Sequence, residues 1–159
     1  MAPTMARFNR RRPGVTWVVG LLTIGVIFSA CGNDVGNDKG VSLQEDAQLL
    51  TRAQQVIRDG DSVPLREIAG DDWDRVHLFP GLSTREFVET TVDAPIDMPD
   101  IYNYDNGGIV VFVKGDTVQR VVTLRPYPFD GNAASYGPNV TAARPSPNAS
   151  WLKLTDPPR

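Results

Sequence analysis

The chain has 159 residues, 41% of them apolar, with a single cysteine, a single histidine and a formal net charge of −3. All nineteen carboxylates follow Cys31 but only twelve of the sixteen basic residues do, so the part beyond the cysteine carries −7. That balance speaks against nucleic acid, whose affinity comes from neutralising phosphates, and the lone cysteine and histidine exclude a disulfide framework and a zinc centre.

The first element is an export signal. Arg7, Arg10, Arg11 and Arg12 precede the uncharged apolar stretch Val15 to Phe28, which ends at Ser29-Ala30-Cys31. A basic region, an apolar region of about 7–15 residues and a small-residue cleavage site define such a signal. The stretch is shorter than the roughly 20 residues a membrane-crossing helix needs, and Gly20 and Gly25 lower its helix propensity. Pro13-Gly14 after the arginines fits the general secretory route better than the twin-arginine one. Ile27-Phe28-Ser29-Ala30-Cys31 resembles the lipobox of bacterial lipoprotein precursors, with Phe28 where leucine is commonest. The resemblance covers the first 31 residues. It implies cleavage before Cys31, acylation of its sulfur and new amino group, and attachment to the extracytoplasmic face of the cell membrane. Each buried methylene adds about 0.8 kcal/mol, so two or three acyl chains anchor stably where one does not. An uncleaved anchor and a plain cleaved signal are the alternatives. The expected organisation is a signal peptide at 1–30, a lipidated cysteine and flexible linker at 31–41, and one domain at 42–159, since the 129 residues from Cys31 onward suit a single core.

Along the domain, Ser42 and Glu45 have capping-box spacing, and Leu43, Ala47, Leu50, Ala53 and Ile57 recur at helical intervals up to Gly60. They predict a helix near 43–58. A short helical turn is expected at Val63 to Ile68. Arg75 to Phe79 predicts a strand that buries Val76 and Leu78 and exposes Arg75, His77 and Phe79. Ser83 and Glu86 open a second helix near 84–92. Ile101 to Tyr104 is a short strand, Asp105 to Gly108 a turn, and Ile109 to Leu124 a hairpin through Gly115-Asp116. Residues 130–148 are expected to form an irregular loop, and Trp151 to Leu154 an edge strand. The predicted fold class is α+β, with an antiparallel sheet of four or five strands and two helices covering one face.

No catalytic constellation emerges. His77 has Asp74 nearby, but a strand sends the two to opposite faces and no nucleophile elbow exists. Asn103-Tyr104-Asp105-Asn106-Gly107 loosely follows a calcium loop but lacks its closing glutamate, because no Glu follows Glu89. Nineteen acids always offer pairs for glycoside hydrolysis, and no spacing selects one. No cofactor is expected. Tyr102, Tyr104, Tyr127 and Tyr136 lie in or next to turns and irregular segments, and Trp73 leads a strand. Tyr and Trp are enriched where proteins meet partners, so Trp73, Tyr102 and Tyr104 are the expected partner-binding residues. The competing explanation is that they fill gaps in a small core. Asp72-Trp73-Asp74-Arg75-Val76-His77-Leu78-Phe79 with Ser83-Thr84 resembles a motif in small uncharacterised bacterial lipoproteins and implies no activity. The expected role is non-enzymatic binding of an envelope protein or wall component at the membrane. A small-ligand or calcium-binding module is the alternative.

Overall fold

Ile109-Val110-Val111-Phe112-Val113 decides the architecture. All five side chains are buried, and alternation sends Ile109, Val111 and Val113 into one core and Val110 and Phe112 into another. A strand buried on both sides requires a covering layer on each face of its sheet.

The computed structural model describes residues 40–157. The expected signal peptide, Cys31 and the linker before Gly40 lie outside the described residues. In chain order the elements are β1 (Val41–Glu45), α1 (Ala47–Asp59), β2 (Ser62–Pro64), α2 (Leu65–Ala69), β3 (Arg75–Thr84), α3 (Arg85–Val92), β4 (Ile96–Asp97), β5 (Ile101–Lys114), β6 (Thr117–Leu124), β7 (Ala134–Tyr136), β8 (Thr141–Ala143) and β9 (Lys153–Thr155). Six strands form a mixed sheet in the order β4-β1-β6-β5-β3-β7, and three form a second sheet in the order β2-β8-β9. β1 runs parallel to both its neighbours, β4 and β6, whereas the pairs β6–β5, β5–β3 and β3–β7 are antiparallel.

One face of the large sheet is covered by α1, α2 and the small sheet. Leu49, Ala53, Leu65, Ala142 and Leu154 meet Val76, Leu78, Phe112 and Val122 there. Arg66 ties this layer together, donating to the carbonyls of Pro138 (2.8 Å), Asp71 (2.8 Å) and Trp73 (2.6 Å). Arg120 lies over the Phe112 ring at 4.1 Å and pairs with Asp46 at 3.1 Å. The other face is covered by α3 and by the start of β5, which bring Val88 and Tyr102 onto Phe79, Ile109 and Val111.

Among the described residues the fold is therefore α+β, with a larger sheet than expected, mixed rather than antiparallel, and the helical turn expected at Val63 to Ile68 appears as α2, a third helix. The two long helices lie on opposite faces, because the β5 run is apolar on both sides. The first helix starts later than predicted. Asp46, not Ser42, caps it by accepting from the Leu49 N–H at 2.8 Å, and Gly60 ends it in the left-handed conformation. Val41 to Glu45 instead pair between β4 and β6, with the Ser42 hydroxyl donating to Asp97. Gly40 makes that insertion possible, since a Cβ there would sit 1.9 Å from the Pro95 carbonyl oxygen. The second helix matches its expected span within a residue, capped by Thr84 while Ser83 donates to the Pro80 carbonyl. The hairpin at 109–124 turns through Gly115, at φ 58, and Asp116, as expected. His77 and Phe79 are buried rather than exposed because α3 covers their face. The region 130–148 is not wholly irregular, since it contains β7 and β8.

Candidate functional site

β3 and β5 outrun the rest of their sheet. β7 reaches only Val76 to Leu78 of β3, and β6 stops opposite Gly108 of β5. Beyond those points the two strands continue as a ribbon pairing Leu82 with Asn103, Ser83 with Tyr102 and Thr84 with Ile101. Among the described residues no further strand flanks it.

A bulge shapes the ribbon. Between the pairs Pro80↔Gly108 and Leu82↔Asn103, Gly81 alone faces Tyr104 to Gly107. The extra residues kink β5 at Asn106, whose φ is 60, as bulges do. Gly81 fits because any Cβ there would approach the Tyr104 carbonyl oxygen to 2.9 Å. The predicted turn at 105–108 is therefore a kink within one strand, and the chain does not reverse there.

Register fixes which side chains face water. Antiparallel partners share a face, so Ser83 and Tyr102 point inward, where both are buried. Leu82, Thr84, Ile101 and Asn103 point outward, leaving Leu82 73% and Ile101 58% exposed. Phe87, 48% exposed, packs edge-on against Phe79 with centroids 5.7 Å apart, and Tyr104 is 43% exposed. These are the large apolar side chains that stand exposed among the described residues, and all four fall within residues 82–104. Residues 82–105 also carry six carboxylates against one arginine, a net −5. Arg85 pairs with Asp100, and Glu86, Asp93, Asp97 and Asp105 are exposed.

The three aromatic residues expected to meet a partner do not form one patch. Trp73 is 2% exposed in the α1-side core, where its indole N–H donates to the Gly70 carbonyl at 2.6 Å. Tyr102 is fully buried in the opposite core with its hydroxyl on Thr123. Only Tyr104 reaches water, with the Arg125 guanidinium over its ring at 3.6 Å. Trp73 and Tyr102 thus act as core residues, the competing explanation for these aromatics. Leu82 and Ile101 were missed because alternation along a strand does not say which face is inward.

Arg125 also pairs with Glu45 at 3.6 Å, at the end of β1 opposite Gly40. Beside it, a cleft of about 500 Å³ opens between Pro80, Asn106, Pro126, Tyr127 and Ser150. The Tyr127 ring covers Gly108, where a Cβ would come within 2.3 Å of it. Burial foremost, and then the Asp130 carboxylate, push the Tyr127 hydroxyl well above the ordinary tyrosine range. Neither Tyr127 Oη nor Asp130 Oδ1 has a hydrogen-bond partner among the described residues.

His77 and Asp74, close in sequence, do not bond to each other. The His77 Nδ1 lies 2.7 Å from Ser135 Oγ on β7, and Asp74 accepts instead from the Gly115 N–H at 2.7 Å. Burial first and Arg75 second lower the His77 pKa below the ordinary histidine value. Among the described residues no three His, Cys, Asp or Glu side chains are grouped to hold a metal ion. None of the helices described is long and apolar enough to cross a membrane. No family model, curated protein or solved structure matches the chain.

Proposed function

We propose that this chain is a lipid-anchored protein of a bacterial cell envelope, held at the extracytoplasmic face of the membrane through Cys31. It acts by binding another protein or a wall component rather than by catalysis. The lipobox-like run ending at Cys31 supports the anchor. The observation that carries the binding is the outer face of the ribbon, where Leu82 and Ile101 stand in water. Exposed apolar surface rimmed by polar residues marks interaction sites. Gly40 lies nine positions after Cys31, and at about 3.3–3.6 Å per residue such a tether reaches at most roughly 30 Å. The domain would work within about its own diameter of the bilayer.

Fractionation of cells making the chain and its Cys31→Ala variant tests the anchor. The parent chain is expected in the membrane pellet after high-salt washing, and the variant is expected to lose the processed form. A processed parent chain released by salt alone would contradict it.

A small-ligand or calcium-binding module is the second reading, favoured by the cleft beside Tyr127 and by the carboxylate of Asp105 at the bulge. It requires a rise in melting temperature with added calcium or ligand, and for calcium the rise must vanish in Asp105→Ala.

A further inference from the structure

Two features meet in residues 82–105: the outward apolar pair Leu82 and Ile101 on the ribbon, and a net charge of −5 along that stretch of chain. We infer that the ribbon's partner is an extended protein segment in which apolar side chains alternate with Lys or Arg. The inference rests on the reading that this chain acts by binding, and it names the chemistry of what is bound.

Charge complementarity selects this occupant. A second copy would bring the same excess of carboxylates against itself, and like charges brought together disfavour association. An anionic lipid surface meets the same repulsion. A glycan offers hydroxyls, for which Leu82 and Ile101 provide no hydrogen-bonding group. A basic and apolar segment satisfies both features: its aliphatic groups cover Leu82 and Ile101, and its cations are attracted by the exposed carboxylates of the same stretch of chain, Glu86 and Asp105 among them. Its extended form follows from the ribbon's edges, since no described strand flanks Ser83 to Thr84 or Ile101 to Asn103. Backbone groups at such an edge can accept an added strand. Pro80, just before the ribbon, lacks the N–H that would carry pairing further along β3.

The test uses the processed chain in nanodiscs of zwitterionic lipid and a fluorescent peptide of alternating leucine and lysine, followed by anisotropy. Binding is expected to weaken with salt and to drop about tenfold or more in Leu82→Ser/Ile101→Ser. Glu86→Gln/Asp105→Asn is expected to weaken it several-fold and flatten its salt dependence. Asp71→Asn/Asp72→Asn, which removes carboxylates elsewhere in the domain, is expected to leave it unchanged. Equal binding by the Leu82→Ser/Ile101→Ser chain overturns the inference. So does equal binding of a leucine–glutamate peptide, self-association through the ribbon, or its burial in the bilayer. The mass of the N-terminal peptide, read on the same sample, separates the two claims. An acylated chain that ignores the peptide sinks the partner and leaves the anchor standing, and an unacylated chain that binds it does the reverse.

Discussion

The two faces of the large sheet are covered unequally. Eighteen buried apolar residues make the core under α1, α2 and the small sheet, whereas ten make the core under α3 and the ribbon. The first layer is closed by Arg66 and Arg120, whose guanidinium groups bind backbone carbonyls inside it. The second is closed by a two-stranded ribbon that turns Tyr102 inward and leaves Leu82 and Ile101 outside. Neighbouring residues of one ribbon thus divide between holding the fold and facing solvent. The larger core lies on the first face, and the exposed apolar side chains Leu82 and Ile101 belong to the second.

Truncation should expose that inequality most sharply at Phe112, buried beneath Trp73 and Arg120. Phe112→Ala is expected to cost about 3–5 kcal/mol in denaturant unfolding, whereas Leu82→Ser should stay within about 0.5 kcal/mol of the parent chain. Comparable losses at the two positions would erase the distinction between the faces.

A smaller effect is expected at Arg66. Removing its three charge-assisted hydrogen bonds in Arg66→Ala should destabilise the domain by about 2–3 kcal/mol. Arg66→Lys should recover only part, since an ammonium cannot replace the guanidinium fork. Full recovery by lysine would show that charge alone matters there.

The smallest effect concerns pH and lies on the second face. The His77 pKa is lowered in the folded chain, chiefly by burial. The unfolded chain therefore takes up the proton more readily. The stability from a neutral His77 is present above its unfolded pKa of about 6.5 and is lost as pH falls through that value toward the folded one. His77→Gln should flatten the decline in melting temperature between about pH 7 and pH 5. An unchanged slope would assign that decline to other groups.

Local patterns made part of this fold legible. The β-branched run at Ile109 to Val113 and the Gly115-Asp116 turn mark a hairpin that needs no distant partner to be recognised. The second helix is similarly local, its start marked by Ser83 and Glu86 although Thr84 is the cap. The first helix was harder: Ser42 with Glu45 has capping-box spacing, yet the cap proves to be Asp46. What decides between them is β1 pairing with Val121 to Thr123, a contact between distant parts of the chain. The Asn106-Gly107-Gly108 segment has turn chemistry, but β3 continues alongside it and converts the turn into a bulge. The burial of Trp73 and Tyr102 depends likewise on distant elements folding over them, so Trp73 at the head of a strand and Tyr102 beside a turn suggested exposure where their packing points inward. The pattern that ends at Cys31 is read from local order alone and lies outside the described residues.

The ribbon's division of labour is tested most directly by the affinity of Leu82→Ser/Ile101→Ser for the leucine–lysine peptide, measured on a sample whose unfolding midpoint has been matched to the parent chain. Lost binding at unchanged stability is the expected result. Retained binding, or a domain that loses stability together with its binding, would make the outer face one more part of the core's support and contradict its role as a docking surface.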